Sequence, residues 1–132
     1  MLHVGLDLGP DALIEERAEQ DGCLELRSRL EEVEQGRKNL IARLPGSGGG
    51  KSLCLYAHLD TVGCALWREQ ALSPLLEGDR LYGLGSGDDK GHVAAGMLVV
   101  QSLVERKIKL RGDLWLAFLI DEEGTSSGAF HF

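Results

Sequence analysis

The chain has 132 residues, 43% hydrophobic and 27% charged, with a formal net charge of −7. That is length for one domain and the balance of an ordinary soluble globular protein. The acidity repels a phosphate backbone, and the nearest approach to a basic stripe, Arg106–Arg111, is interrupted by Ile108 and Leu110, which excludes nucleic acid as a partner.

Met1–Pro10 carries no pattern, and MLHVGLDLGPDAL has neither the basic n-region nor the long apolar run of a signal peptide. Asp11 is a candidate cap for a short helix over Ala12–Gln20, with Glu15 and Glu16 suited to its first turns and Asp21-Gly22 to its end. Leu24, Leu26, Ser28 and Leu30 alternate with Glu25, Arg27 and Arg29, which is the period of a half-buried strand. After the turn Gln35-Gly36, Asn39–Leu44 (NLIARL) is a second strand and Ser52–Leu59 (SLCLYAHL) a third, more apolar one. Pro45–Lys51 (PGSGGGK) between them is expected to be an exposed hairpin loop.

Thr61–Pro74 is mixed, with Trp67 as its large anchor, and Leu75–Gly83 reads as a short strand pair around Glu77-Gly78-Asp79. A helix begins at Asp89 or Lys90 and runs to about Arg106. Val93, Met97, Val100 and Val104 share one face of it. Ala94, Ala95 and Leu98 widen that face almost to the full circumference, which predicts a helix buried against a sheet. Gly112-Asp113 is a turn, and Leu114–Ile120 (LWLAFLI) is a continuous apolar strand of the kind found in sheets covered on both faces. Strand, helix, strand in that order predicts an α/β domain, a layered sheet with helices on its faces. No stretch reaches transmembrane length, so no membrane is expected.

Several features imitate chemistry. PGSGGGKS has Gly50, Lys51 and Ser52 of a phosphate-binding loop, but Pro45 holds the first glycine position and a strand, not a helix, follows. GLGSGD fails the dinucleotide fingerprint, because Asp88 stands at its third glycine position and would repel a pyrophosphate. His3, His92 and His131 are lone histidines, with surface or supporting roles as the default. Cys23, Cys54 and Cys64 are an odd number with no CxxC pair, which argues against a disulfide scaffold and fits a reducing compartment, the cytoplasm.

Three clusters remain. Tyr82–His92 (YGLGSGDDKGH) packs four glycines into a turn that aims a carboxylate, Asp88 or Asp89, at a helix entrance. His58 and Asp60 are two apart at a strand end, so their side chains point to one side. That spacing lets a histidine bind metal while the aspartate orients it or a neighbouring ligand. Glu122 and Glu123 follow the apolar strand, where one can bind metal and the other handle protons. Taken singly, each cluster has a plain alternative: a helix-capping loop, a polar strand end and a solvated acidic turn. All three at the ends of buried elements suggest a carboxylate-and-histidine metal site, since sheet ends are where α/β folds place their sites.

In combination HLDTV, YGLGSGDDKGH and DEEGTSSG, from roughly Asn39 to Phe132, resemble the co-catalytic zinc amidohydrolases. That family includes acetylornithine deacetylase, succinyl-diaminopimelate desuccinylase, aminoacylase and bacterial glutamate carboxypeptidase. The resemblance implies that His58 binds one zinc, Glu123 the other, and Asp88 both. It implies Glu122 as general base, Asp60 as the support of His58, and a non-proline cis peptide between Asp88 and Asp89. Two zinc ions, for which cobalt can substitute, would activate a water against an amide bond of a peptide or N-acyl amino acid. Leu84 stands where many relatives carry arginine. Relatives also have a further acidic ligand, a late histidine ligand and an inserted lid and dimerisation domain. The resemblance therefore makes residues 1–132 a partial catalytic domain, inactive alone, with a homodimer only for the full-length protein. The competing reading is a non-catalytic α/β fragment or binding module with a remnant acidic metal site.

Overall fold

The computed structural model describes residues 25–132. The helix expected over Ala12–Gln20 lies outside them. The elements run β1 (Arg27–Glu34), β2 (Arg37–Leu44), β3 (Leu53–His58), α1 (Arg68–Ala71), β4 (Leu75–Glu77), β5 (Arg80–Tyr82), α2 (Lys90–Glu105), β6 (Leu114–Leu119) and α3 (Ser127–His131). Four strands form one sheet in the order β1-β2-β6-β3, and β4 and β5 form a separate hairpin. β6 pairs antiparallel with β2 and parallel with β3, with Leu55 opposite Leu116 and His58 opposite Leu119. A parallel pair needs a crossover, and the long chain through α2 supplies it.

Alternation along the strands divides the core into two layers. Leu44 and Ala42 of β2, Ala57 of β3, and Leu114, Leu116 and Phe118 of β6 pack with Val100 of α2. Val93, Leu103 and Val104 complete the helix side of that layer. On the opposite face Ile41, Ala117 and Leu119 cluster with Trp115. β6 is thus buried on both faces, as its continuous apolar run predicts.

Five expectations need correction. Pro45–Lys51 is exposed at its tip but is not a hairpin loop, because β6 lies between β2 and β3. The strand apolar on both faces takes the centre, and the loop crosses the turn leading into it. There Ser47 N–H donates to Leu110 O at 2.8 Å, and Asp113 accepts from Gly46 N–H at 2.9 Å and Arg43 Nε at 2.8 Å. The first strand starts at Arg27, later than its alternation suggests, and Leu30 is exposed. α2 is not buried around its circumference: Met97, Leu98 and Val99 are exposed. Gly96, not Met97, meets the sheet, where a Cβ would lie 3.3 Å from Phe118. The absent side chain lets helix and ring approach. Trp67 is exposed, not a buried anchor. α1 and α3, one turn or little more each, carry no periodic signal long enough to read.

Candidate metal centre

The parallel pairing of β3 and β6 brings their C-terminal ends to the same edge of the sheet, and Leu59 N–H donates to Leu119 O at 2.7 Å just beyond them. His58 is the last residue of β3 and is buried, and Asp60 follows it into the loop. Asp121, Glu122 and Glu123 leave β6 beside them. Both oxygens of Asp60 are engaged: Oδ1 accepts the Glu122 N–H and Oδ2 the Glu123 N–H, each at 3.1 Å. Asp60 therefore holds the backbone of the glutamate pair, and its Oδ1 also lies 3.5 Å from His58 Nδ1.

The third segment comes from the glycine-rich turn before α2. The Asp88–Asp89 peptide is cis. Asp88 and Asp89 take different tasks. Asp88 Oδ1 lies 3.0 Å from His58 Nε2, with its side chain largely exposed. Asp89 is buried, accepts the His58 N–H on Oδ2 at 3.0 Å, and pairs through Oδ1 with His92 Nδ1. Lys90 Nζ donates to Leu59 O at 3.1 Å, tying the helix entrance to the β3 end.

His58, Glu122 and Glu123 each offer a ligand atom, and the three atoms lie within 4.8 Å of one another. Glu122 Oε2 is 3.9 Å from His58 Nε2. Asp60, Asp88, Glu122 and Glu123 are thus gathered around the imidazole of His58, the fifth residue singled out from the sequence. Asp88 touches His58 but stands outside the group of three, whereas Glu122, expected to handle protons only, is inside it.

The electrostatics favour positive charge here. Burial pushes the His58 pKa down, but the Asp88 hydrogen bond and the charges of Asp89, Asp60 and Glu122 outweigh it and raise the pKa. Burial likewise pushes Asp60 up, yet the N–H groups of Glu122 and Glu123 hold its pKa below the usual carboxylate range. His58 Nδ1 is buried without a hydrogen-bond partner. An imidazole whose Nε2 faces the carboxylates of Asp88 and Glu122, while Nδ1 is turned toward Asp60, fits a divalent cation taking nitrogen and oxygen ligands.

Two supporting roles, those of Asn39 and Asp121, went unread in the sequence. Asn39 of β2 is fully buried. Its Nδ2 donates to Gly128 O at 2.9 Å and its Oδ1 accepts the Ile120 N–H at 3.0 Å, so it joins both ends of the glutamate loop. A buried amide needs such partners, and an asparagine opening the apolar run NLIARL was the available signal. Asp121, with φ of 63°, accepts from Thr125 N–H at 2.9 Å, Thr125 Oγ1 at 2.6 Å, Ser127 Oγ at 3.2 Å and Arg37 Nη2 at 2.9 Å. The Thr125 bonds, then Arg37, hold its pKa well below the usual range. An aspartate ahead of glycine, threonine and serine is a turn-forming composition, but the pairing with Arg37 is invisible locally.

The model of the family described as Peptidase family M20/M25/M40 matches residues 54–132. Acetylornithine deacetylase of Aliivibrio fischeri is 37% identical over 106 residues, 78% of this chain and 27% of that protein. Succinyl-diaminopimelate desuccinylase of Gluconobacter oxydans is 39% identical over 87 residues, 65% of this chain and 22% of that protein. The crystal structure of a tripeptidase from Staphylococcus aureus matches with a TM-score of 0.66 and 26% identity, covering 81% of this chain and 30% of the tripeptidase. The chain spans about a quarter of the length of these curated relatives, at 27% and 22%.

Proposed function

The chain belongs to peptidase family M20/M25/M40, and from that premise we propose that it supplies metal-binding and proton-transfer residues for hydrolysis of an amide bond. The observation that carries this is the convergence of His58, Glu122 and Glu123 on one point from two strand ends. Relatives named as a deacetylase, a desuccinylase and a tripeptidase support a peptide or N-acyl amino acid as substrate.

On this reading His58, Asp88 and Glu123 would hold two zinc ions. When bound, zinc supplies Lewis acidity toward the scissile carbonyl and lowers the pKa of water. Asp60 fixes the glutamate backbone and faces His58 Nδ1. Glu122 takes the proton of the attacking water and delivers it to the leaving amine. The family resemblance puts a further acidic ligand and a histidine outside this sequence, in the remainder of a catalytic domain accompanied by a lid and dimerisation domain. We accordingly expect the 132 residues alone to hold zinc weakly and turn over negligibly. Unpaired Cys54 and Cys64 fit a cytoplasmic enzyme.

The test is hydrolysis of a panel of N-acetyl amino acids and dipeptides with zinc or cobalt added, comparing the 132-residue chain with the longer protein. The longer protein should bind two zinc ions and lose about 10²–10⁴-fold in kcat on Glu122→Gln. Fewer than two ions and no turnover in the longer protein would favour a remnant acidic site. Turnover by the 132-residue chain that vanishes in Glu122→Ala would show that its own ligands suffice.

A further inference from the structure

We propose that Asp121, held by Arg37, is the positioning residue that fixes the Glu122–Glu123 pair against His58. The proposal rests on the functional reading only for what the pair does; the bracing itself is a property of the loop.

Glu122 and Glu123 are exposed and adjacent, and their side chains are long. Their aim depends on where the backbone beneath them is held. One side is fixed by Asp60, which takes both N–H groups. The other side is the return of the loop to α3, and it is wound around a single carboxylate. Asp121 accepts from Thr125 and Ser127, which closes the chain about the intervening glutamates and Gly124. The approach at Gly124 is close: a Cβ there would lie 2.7 Å from Asp121 Oδ1. This closed loop is then fastened to the sheet by two residues of β2. Arg37 reaches Asp121, and Asn39, two residues on and therefore on the same face of the strand, joins Ile120 to Gly128. Arg37 also pairs with Glu34 at 2.7 Å, which holds the guanidinium in place across the β1–β2 turn. A partner that orients a ligand through its backbone acts as the outer partners of metal sites do, whose loss typically weakens metal affinity about 10–100-fold.

Two readouts test this on the 132-residue chain. Hydrogen exchange at the Glu122 and Glu123 amides reads the loop whether or not metal binds, and cobalt(II) titration by visible absorption reads the site. Asp121→Asn should speed exchange at those two amides by about tenfold or more, while Leu116–Phe118 in β6 keep their protection. Cobalt affinity should fall about tenfold with it. Arg37→Gln, an exposed change away from the core, should produce the same pattern at smaller amplitude, and Arg37→Lys should restore part of it. It also serves if Asp121→Asn does not fold. Unchanged exchange at Glu122 and Glu123 overturns the proposal. So does faster exchange with unchanged cobalt affinity, which would make Asp121 a loop residue without influence on the site. His58→Ala is the control for the functional reading. If cobalt binding does not respond to it, the metal reading fails, and amide exchange alone decides whether Asp121 holds the pair.

Discussion

The centre of the large sheet and the β4–β5 hairpin are made from similar residues and end in opposite environments. Leu114, Leu116 and Phe118 in β6 are buried, whereas Leu75, Leu76, Leu81 and Tyr82 in the hairpin are all exposed. Each hairpin strand has only one neighbour, while β6 has β2, β3 and α2 around it. Apolar character makes a strand, but a covering layer makes a core. The candidate site straddles this divide. His58 and the glutamate loop are fastened to the buried sheet, while Asp88 arrives on the turn that leaves the hairpin, with its side chain 82% exposed against 6% for His58. One part of the site is held by the core and the other is carried in from the periphery.

The largest expected effect breaks the buried side of the comparison. Phe118→Ala, which empties the contact with Gly96, should cost about 3–5 kcal/mol in urea denaturation. A loss below about 1 kcal/mol would mean that α2 closes onto the sheet without the ring. Asn39→Ala comes next, at about 1–3 kcal/mol, because it leaves the Ile120 N–H and the Gly128 carbonyl without their partner. It should also raise exchange in the glutamate loop more than in β1, and uniform exchange would show that Asn39 does not join the two ends selectively.

A pH prediction sharpens the comparison at the loop that crosses into β6. The Gly46 N–H, then Arg43, hold the Asp113 pKa below its ordinary value of 3.8. A depressed folded pKa stabilises fully above the unfolded value and is lost as pH falls through the folded one. The Tm deficit of Asp113→Asn should therefore be constant between pH 7 and 5, at about the plateau expected above the unfolded pKa of ~3.9, and should shrink only below about pH 4. A deficit that shrinks already near pH 6 would point to another group. The smallest effect belongs to the hairpin: Leu81→Ala should change stability by no more than about 0.5 kcal/mol, since the side chain is exposed. A cost of about 2 kcal/mol would show that the hairpin is covered in solution.

Much of this protein was legible locally. Period and punctuation gave β2, β3, the β4–β5 hairpin, α2 from Lys90 to Glu105 and β6 close to their observed limits. The motifs around His58, Asp88 and Glu122–Glu123 gave the residues that meet at the sheet edge. These are short-range properties: side-chain period, glycine at turns, carboxylates at strand ends. What the tertiary structure decided is long-range. The insertion of β6 between β2 and β3 turned an expected hairpin into a crossing, because strand pairing depends on which partner buries both faces of the most apolar strand. The exposed outer face of α2 followed from its lying against one sheet on one side. Asn39 reaches Ile120 across 81 residues and Arg37 reaches Asp121 across 84. No periodicity encodes such a pair, because a hydrogen bond over that separation exists only once the sheet has set the two segments side by side.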